Sequence, residues 1–282
     1  EEHITRVMTL RSYDDAKYLL LATRAGLVKK TQLTAYDSSR QAGVIAINFR
    51  TDDDELIGAE LCGPDDDVLL ISRKGQAIRF GADDEQLRPM GRATSGVTGM
   101  KFRGDDELLS MSVIEVGTDE DERFVFTATD GGYAKRTLVS EYRRQGRGGL
   151  GIKAMALSED RGSLVGGLVV QEADEVIAIR TSGQLTRSAV AEVPVKGRST
   201  MGVKFVNVRG KDAVSIIALN PEHEEPDDPQ PSHDEVTGTT QGGGSEARDG
   251  ASDEDASTDE DTAGTVVSDE ASDDAGEHGE QA

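Results

Sequence analysis

The sequence predicts an all-β, propeller-like array of four-stranded blades followed by an acidic C-terminal tail. Three observations carry that expectation. First, a short apolar run followed by a glycine that opens a segment ending on a basic residue occurs four times, and the glycines (Gly26, Gly75, Gly132, Gly183) lie 49, 57 and 51 residues apart. A period near 50 with several short strands per unit marks a repeat array rather than an ordinary mixed domain. Second, an arginine shortly before a glycine recurs at Arg40/Gly43, Arg92/Gly96, Arg147/Gly151 and Arg198/Gly202. Third, residues 221–282 hold 21 acids and one base, whereas the first 220 residues hold 33 acids, 30 bases and all eleven Phe and Tyr.

Residues 4–10 read as the end strand of a preceding blade, with 1–16 as that strand and its connector. Blades follow at 17–66, 67–122, 123–174 and 175–220. Each opens with an apolar run (19–21, 69–71, 124–126, 176–179) that is too short for a helix and ends in a glycine turn. A second strand carries the basic residue. Third strands are expected at 44–49, 97–102, 152–155 and 203–206, and fourth strands at 56–61, 108–114, 164–170 and 213–219. Four strands per unit is the blade count of a propeller. The tail at 221–282, rich in Pro, Gly, Ser, Thr, Asp and Glu, has too little apolar surface to offset ordering entropy and is expected to be disordered.

Net charge misleads if read over the whole chain. The formal −23 is largely the tail, which carries −20, and the first 220 residues are nearly neutral. One cysteine, Cys62, excludes an internal disulfide framework and suits a reducing cytoplasm. No apolar run reaches the ~20 residues of a membrane span. Of the four histidines, three (His223, His233, His278) fall in the tail and His3 at the terminus, so no acid–base or triad constellation forms and no catalytic residue is expected. The acidic runs 52–55 and 119–122 lack the ligand spacing of a calcium loop and read as solvated loop charge; no metal site is expected. Residues 146–151 are glycine-rich but lack the Gly-Lys-Ser/Thr ending of a phosphate loop.

What recurs is positive charge. Lys29 and Lys30, Arg79, Lys135 and Arg136, and Arg187 fall at equivalent positions, as do Arg40, Arg92, Arg147 and Arg198. Placed once per blade, such residues form a basic rim suited to the DNA backbone, which offers a charge every ~1.7 Å of axis and asks for no base reading. The alternative is that each base pairs with a loop carboxylate or guards a strand edge.

The stretches Tyr18 to Thr31, Asp54 to Gly58, Met90-Gly91-Arg92 with Gly96-Val97, and Thr129 to Thr137 resemble the C-terminal β-pinwheel domain of the gyrase A family, whose fold is shared more loosely with topoisomerase IV. The resemblance covers residues 4–220. It implies a disc whose blades exchange strands and around whose basic rim double-stranded DNA wraps, in the service of strand passage and negative supercoiling by DNA gyrase. The family's box, Gln-Arg-Arg-Gly-Gly-Lys-Gly, is similar at five of seven positions to Gln145-Gly146-Arg147-Gly148-Gly149-Leu150-Gly151, with Arg143 and Arg144 just upstream. Because this stretch falls in the third complete repeat, it reads either as the box or as a diverged blade loop, the usual box then belonging to a preceding blade. The catalytic tyrosine region of the family is not matched, so the segment itself is expected to be non-catalytic and free of cofactor. By resemblance, the intact enzyme pairs two A subunits with two B subunits and uses magnesium at the cleavage site and ATP on its B subunits. It works in the cytoplasm at the nucleoid. Two alternatives remain: a topoisomerase IV-type domain supporting decatenation, and a propeller-like platform for protein partners.

Overall fold

A computed structural model of the chain describes residues 4–40, 42–117 and 119–220. The tail expected to be disordered, with its three histidines, and His3 lie outside the described residues. The first repeat supplies β1 (Tyr18–Thr23), β2 (Leu27–Gln32) and β3 (Leu56–Cys62). The second supplies β4 (Asp67–Ser72), β5 (Gln76–Gly81), β6 (Val97–Thr98) and β7 (Leu108–Ile114). The third supplies β8 (Arg123–Thr129), β9 (Tyr133–Leu138), β10 (Ile152–Lys153) and β11 (Leu164–Gln171), and the fourth β12 (Glu175–Arg180), β13 (Leu185–Ala189), β14 (Val203–Lys204) and β15 (Val214–Asn220).

These strands build an all-β, propeller-like series of antiparallel sheets, but not repeat by repeat. The sheet orders are β3-β1-β2-β6, β10-β5-β4-β7, β11-β8-β9-β14 and β13-β12-β15. Each third strand therefore leaves its own repeat and completes the sheet before it. The pattern-based expectation that a repeat closes its own four-stranded sheet is corrected accordingly, whereas the strand exchange implied by the family resemblance agrees with these sheet orders. Residues 44–49, the first repeat's third strand by pattern, find no earlier sheet among the described residues and form no strand; nor do 4–10, where Ile4 and Val7 stay exposed. The last sheet, to which no later strand is added among the described residues, has three strands.

The paired glycine landmarks make this exchange possible. Gly26 and Gly75 turn with φ of +80° and +79°, and a Cβ on either would stand 2.6 Å and 2.7 Å from the Met100 and Met155 carbonyl oxygens of the next repeat. Gly96, Gly151 and Gly202 press back on the Val28, Ala77 and Ala134 carbonyls in the same way. Backbone bonds close the stitch: Gly99 N–H donates to Gly26 O at 2.8 Å, Ala154 N–H to Gly75 O at 2.8 Å and Phe205 N–H to Gly132 O at 2.9 Å. At the two ends of the series, Gly43 and Gly183 keep the positive φ, yet a Cβ there meets nothing within 4 Å among the described residues.

Sandwiching explains the apolar runs. A strand with a neighbouring sheet on each side buries both faces and reads as a continuous hydrophobic run. Every residue of β4 is buried: Val68 and Leu70 pack toward the first sheet with Leu20, Val28 and Phe80, while Leu69 and Ile71 pack toward the third with Val125 and Leu164. Phe124 and Phe126 of β8 face the fourth sheet with Val176 and Ala178. β12, with a neighbour on one face, buries only alternate residues. Each such large side chain contributes ~1.5–3 kcal/mol of burial.

The fourth strands β3, β7, β11 and β15 pack side by side. They line a channel of about 580 Å³ whose walls carry the small residues Gly58, Ala59, Gly166, Gly167 and Ala218. The donated strands β6, β10 and β14 occupy the opposite edge of their sheets and so define the outer perimeter.

Candidate nucleic-acid interface

The first basic series belongs to the interior, which corrects the expectation of an exposed rim at these positions. Lys29, Lys30 and Lys135 have no exposed surface, and Arg79 and Arg136 retain 7% and 6%. The cause is the strand exchange, which covers β2, β5 and β9 with the following repeat. Lys30 Nζ donates to Ala82 O at 2.5 Å and to Asp84 at 2.9 Å. Arg79 Nε donates to Asp67 at 2.7 Å and Nη1 to Glu120 at 3.0 Å. Arg136 Nε donates to Val193 O at 2.7 Å and Nη2 to Glu172 at 2.9 Å. Lys29 grips the carbonyls of Ala46, at 2.5 Å, and Arg92; Lys135 grips those of Gly197 at 2.7 Å and Arg198 at 2.6 Å. Burial pulls both of these amines down to about 8, with Arg92 adding to the shift at Lys29; at Lys135, Glu141 opposes it and Arg198 adds to it. Arg187, at the equivalent position of the last sheet, has no repeat over it among the described residues and stays exposed, 3.5 Å from Glu175.

Acidic loops also do more than meet solvent. Asp54, expected to be solvated, is buried and accepts from the Ala25 N–H at 2.9 Å, tying the loop to the first glycine turn. Asp106 accepts from Lys74 N–H at 2.9 Å and Asp212 from Ser182 N–H at 3.1 Å in the corresponding places. Cys62 is buried, and burial pushes its thiol up to about 12, out of reach of nucleophilic chemistry at neutral pH.

The second basic series lies on the perimeter. Arg40, Arg143 and Arg144 are exposed and Arg92, Arg147 and Arg198 half-buried. Arg144 Nε donates to Asp67 at 2.5 Å. Arg147 Nε donates to Gln86 O at 2.7 Å and its Nη1 to Thr98 O at 2.6 Å, so two of its nitrogens are committed. Around it, Gln145 N–H donates to Arg79 O and Gly148 N–H to Gly99 O, both at 2.7 Å, while Gly149 O accepts from Lys101 N–H at 2.9 Å. Gly146 is exposed and Gly148, with φ +78°, turns the loop; Leu150 remains 38% exposed and Gly151 sits on Ala77. Arg198 commits Nη1 to Lys153 O at 3.1 Å, and its Nε is buried without a hydrogen-bond partner among the described residues.

Arg198 borders a perimeter groove of about 510 Å³ that also gathers Lys74, Lys101, Arg103 and Lys153 beside Phe102, Leu150 and Ile152. Its carboxylate, Asp106, is engaged by Ser72 Oγ at 2.6 Å, and Lys74 Nζ pairs with Asp105. Lys101, Arg103 and Lys153 are exposed. Sequence reasoning missed these three. Lys101 does not recur, with Asn48, Ala156 and Asn207 in its place, but Arg103 is matched by Arg50 and Arg209 and Lys153 by Lys204, a partial recurrence that could have found them. For Lys101 the signal is its place just after a third strand.

Chemically, the groove offers fixed cations on an outward edge to a repeating anion. Among the described residues, no group of three or more His, Cys, Asp or Glu is placed to hold a metal ion, and no helix is long and apolar enough to cross a membrane.

Comparison with known proteins agrees with the sheet series. Residues 17–62, 66–115, 123–171 and 174–220 match the family described as DNA gyrase C-terminal domain, beta-propeller. The DNA gyrase A protein of Streptomyces coelicolor is 61% identical over 226 residues, covering 79% of this chain and 26% of that protein. That of a Nocardioides species is 55% identical over 249 residues, covering 79% and 27%. The chain thus spans about a quarter of the length of these curated relatives. Among solved structures, a DNA gyrase A C-terminal domain aligns with a TM-score of 0.63 at 27% identity, covering 74% of this chain and 68% of that one. A C-terminal domain of DNA topoisomerase IV aligns at 0.68 with 22% identity, covering 75% and 64%, and shares the fold.

Proposed function

Because the chain belongs to the DNA gyrase C-terminal domain family, we propose that its repeats bind duplex DNA along their outer perimeter, without sequence preference, and bend it. The observation that carries this reading is the perimeter groove, where Lys101, Arg103, Lys153 and Arg198 converge and one buried guanidinium nitrogen is left unpaired among the described residues. Arginine and lysine on phosphate position a duplex without reading it. The perimeter carries short strands and loops rather than a helix or two-stranded ribbon able to enter the major groove. Arg40, Arg92, Arg143, Arg144, Arg147 and Arg198 belong to this surface by their exposure; the interior bases Lys29, Lys30, Arg79, Lys135 and Arg136 do not.

In this reading the bound segment serves strand passage by a cytoplasmic, ATP-dependent topoisomerase of two A and two B subunits, with ATP and magnesium handled elsewhere in that assembly. Identity of 61% to a DNA gyrase A protein favours supercoiling over the decatenation of topoisomerase IV. Neither alternative to DNA wrapping, a decatenating domain or a protein platform, is favoured by an observation of its own.

The test is a salt titration of binding to duplexes of unrelated sequence, for the chain and for its Lys101→Glu, Arg103→Glu, Lys153→Glu, Arg198→Glu variant. Each phosphate no longer neutralised lowers the slope of log affinity on log salt by about 0.9. Affinity that falls alike on every sequence, with a shallower slope, supports the reading; an unchanged affinity overturns it. Binding to relaxed circles followed by a nicking–closing enzyme then reports whether the bend is a chiral wrap.

A further inference from the structure

Two seams share a device that the DNA-binding reading leaves unused. Lys135 reaches the carbonyls of Gly197 and Arg198 at 2.7 Å and 2.6 Å, and Lys29 those of Ala46 and Arg92. Neither lysine has any exposed surface, so neither meets a phosphate. In both seams one acceptor is the carbonyl of the perimeter arginine itself, the main-chain unit from which its guanidinium projects.

The second seam shows that filling this space takes no charge. Ile78 occupies the equivalent position of β5 and packs under Gly149 at 3.4 Å from an added Cβ. There Arg147 secures its own loop, committing Nε and Nη1 to the Gln86 and Thr98 carbonyls. Where a lysine holds the loop, the arginine is less occupied: Arg198 commits Nη1 alone and leaves Nε unpaired among the described residues. Burying an ammonium costs several kcal/mol unless hydrogen bonds compensate it, and an apolar side chain of similar volume avoids that cost. A lysine at this position is accounted for by what it grips.

We infer that Lys29 and Lys135 are positioning residues for DNA binding, buried ammonium groups that aim Arg92 and Arg198 at the backbone by holding the carbonyls of those arginines, together with that of Ala46 in the first seam and of Gly197 in the third. The inference rests on the reading of the perimeter as the DNA surface. Arg136, one residue further along β9, is a buried base of a different kind: it holds the Val193 and Ala191 carbonyls and Glu172, away from any perimeter arginine.

The experiment uses the full chain and a mixed-sequence duplex, with salt slopes measured for Arg198→Ala, Lys135→Met, the double variant and Arg136→Met. Each is first checked for folding by urea titration. Arg198→Ala and Lys135→Met should each lower the slope by about 0.9, and the double variant should lower it by no more than either alone. Arg136→Met should lose stability and keep the slope. If Lys135→Met does not fold, Lys29→Met with Arg92→Ala runs the same cycle at the first seam. A folded Lys135→Met with the parent slope, or an additive double variant, overturns the positioning role while leaving the perimeter reading in place. A parent slope in Arg198→Ala removes the perimeter reading at this seam, and the positioning role with it.

Discussion

The Lys30 amine stands 4.4 Å from the centroid of the Tyr18 ring, in the interior of the first seam. Arg136 lies over Phe124 in the same way at 4.6 Å. Two residues before the strand partner of the recurring base (Lys30, Arg79, Arg136 and the exposed Arg187), the four repeats carry Tyr18, Asp67, Phe124 and Glu175. The base therefore meets an aromatic face in the first and third repeats and a carboxylate in the second and fourth, where Arg79 bonds Asp67 at 2.7 Å and Arg187 lies 3.5 Å from Glu175. One structural position accepts two kinds of cation partner, and the two are not energetically equal.

The aromatic version should be the milder to remove. Tyr18→Leu loses a buried cation–π interaction, about 2 kcal/mol, while Lys30 keeps its Ala82 and Asp84 acceptors. Arg79→Met strands the buried Asp67 carboxylate with Arg144 alone, and should cost on the order of 3 kcal/mol. Urea midpoints at constant slope measure both; equal losses would refute the ranking.

A glycine pair separates conformational strain from seam packing. Gly75 and Gly183 share a φ of +79°, but only Gly75 faces a neighbouring carbonyl. Gly183→Ala should cost ~1–2 kcal/mol for the left-handed backbone alone. Gly75→Ala should add ~1–3 kcal/mol because the Met155 main chain has to shift. Thermal or urea unfolding of the two variants checks the difference, which vanishes if the seams are loose.

Stability should depend on pH through the two gripping lysines, with a definite sign. Their folded values near 8 lie below the ordinary 10.5, so between those values the unfolded chain holds protons that the folded chain has released. Folding stability from these groups therefore rises with pH from about 8 to about 10.5 and is lowest, and flat, below 8. Cys62 and Tyr142, both raised by burial, act in the opposite direction over the alkaline part of that range. The measurement is accordingly the difference between parent and Lys135→Met: the gap in stability should change steadily between pH 8 and 10.5 and stay constant from about 6 to 7.5.

The tail's charge bears on affinity. Residues 221–282 add −20 to the chain, and any tail carboxylate near the perimeter competes with phosphate for the same cations. Removing 221–282 should tighten DNA binding at low and moderate salt and make no difference once screening is strong. Equal affinity with and without the tail across the salt range would restrict it to a solubility role.

Repeat number, both glycine landmarks and the first, second and fourth strands of each repeat were legible in the sequence, since each leaves a local mark: an apolar run, a turn glycine, a period. The third strands are two residues long where four to six were expected, and 4–10 and 44–49 form none. The sheet to which a third strand belongs was not legible in that pattern. Val97–Thr98 pairs with Val28 and Leu27 over two residues only, and what selects that partner is a stitch between Gly26 and Gly99 across some 70 residues of chain. Chain order alone points to the nearer hairpin. The recurring bases misled for a related reason. A residue can recur because the seams need it, and the seams are internal, so Lys30, Arg79 and Arg136 kept the period while lying in the core, with Lys29 and Lys135 buried beside them in two of the three seams. Lys101, Arg103 and Lys153 are exposed; Lys101 carries no period, while Arg103 and Lys153 recur only in part, as Arg50 and Arg209 and as Lys204, outside the two landmarks that the pattern singled out.

The lysines at 29 and 135 hold main-chain oxygen, never a side chain, at their far ends. Any amino acid placed at 92, 197 or 198 still presents that oxygen. Attachment and recognition are thereby written in different parts of the same residue, and the outer face of a seam can be rewritten, by evolution or by an engineer, without renegotiating how the seam is held shut.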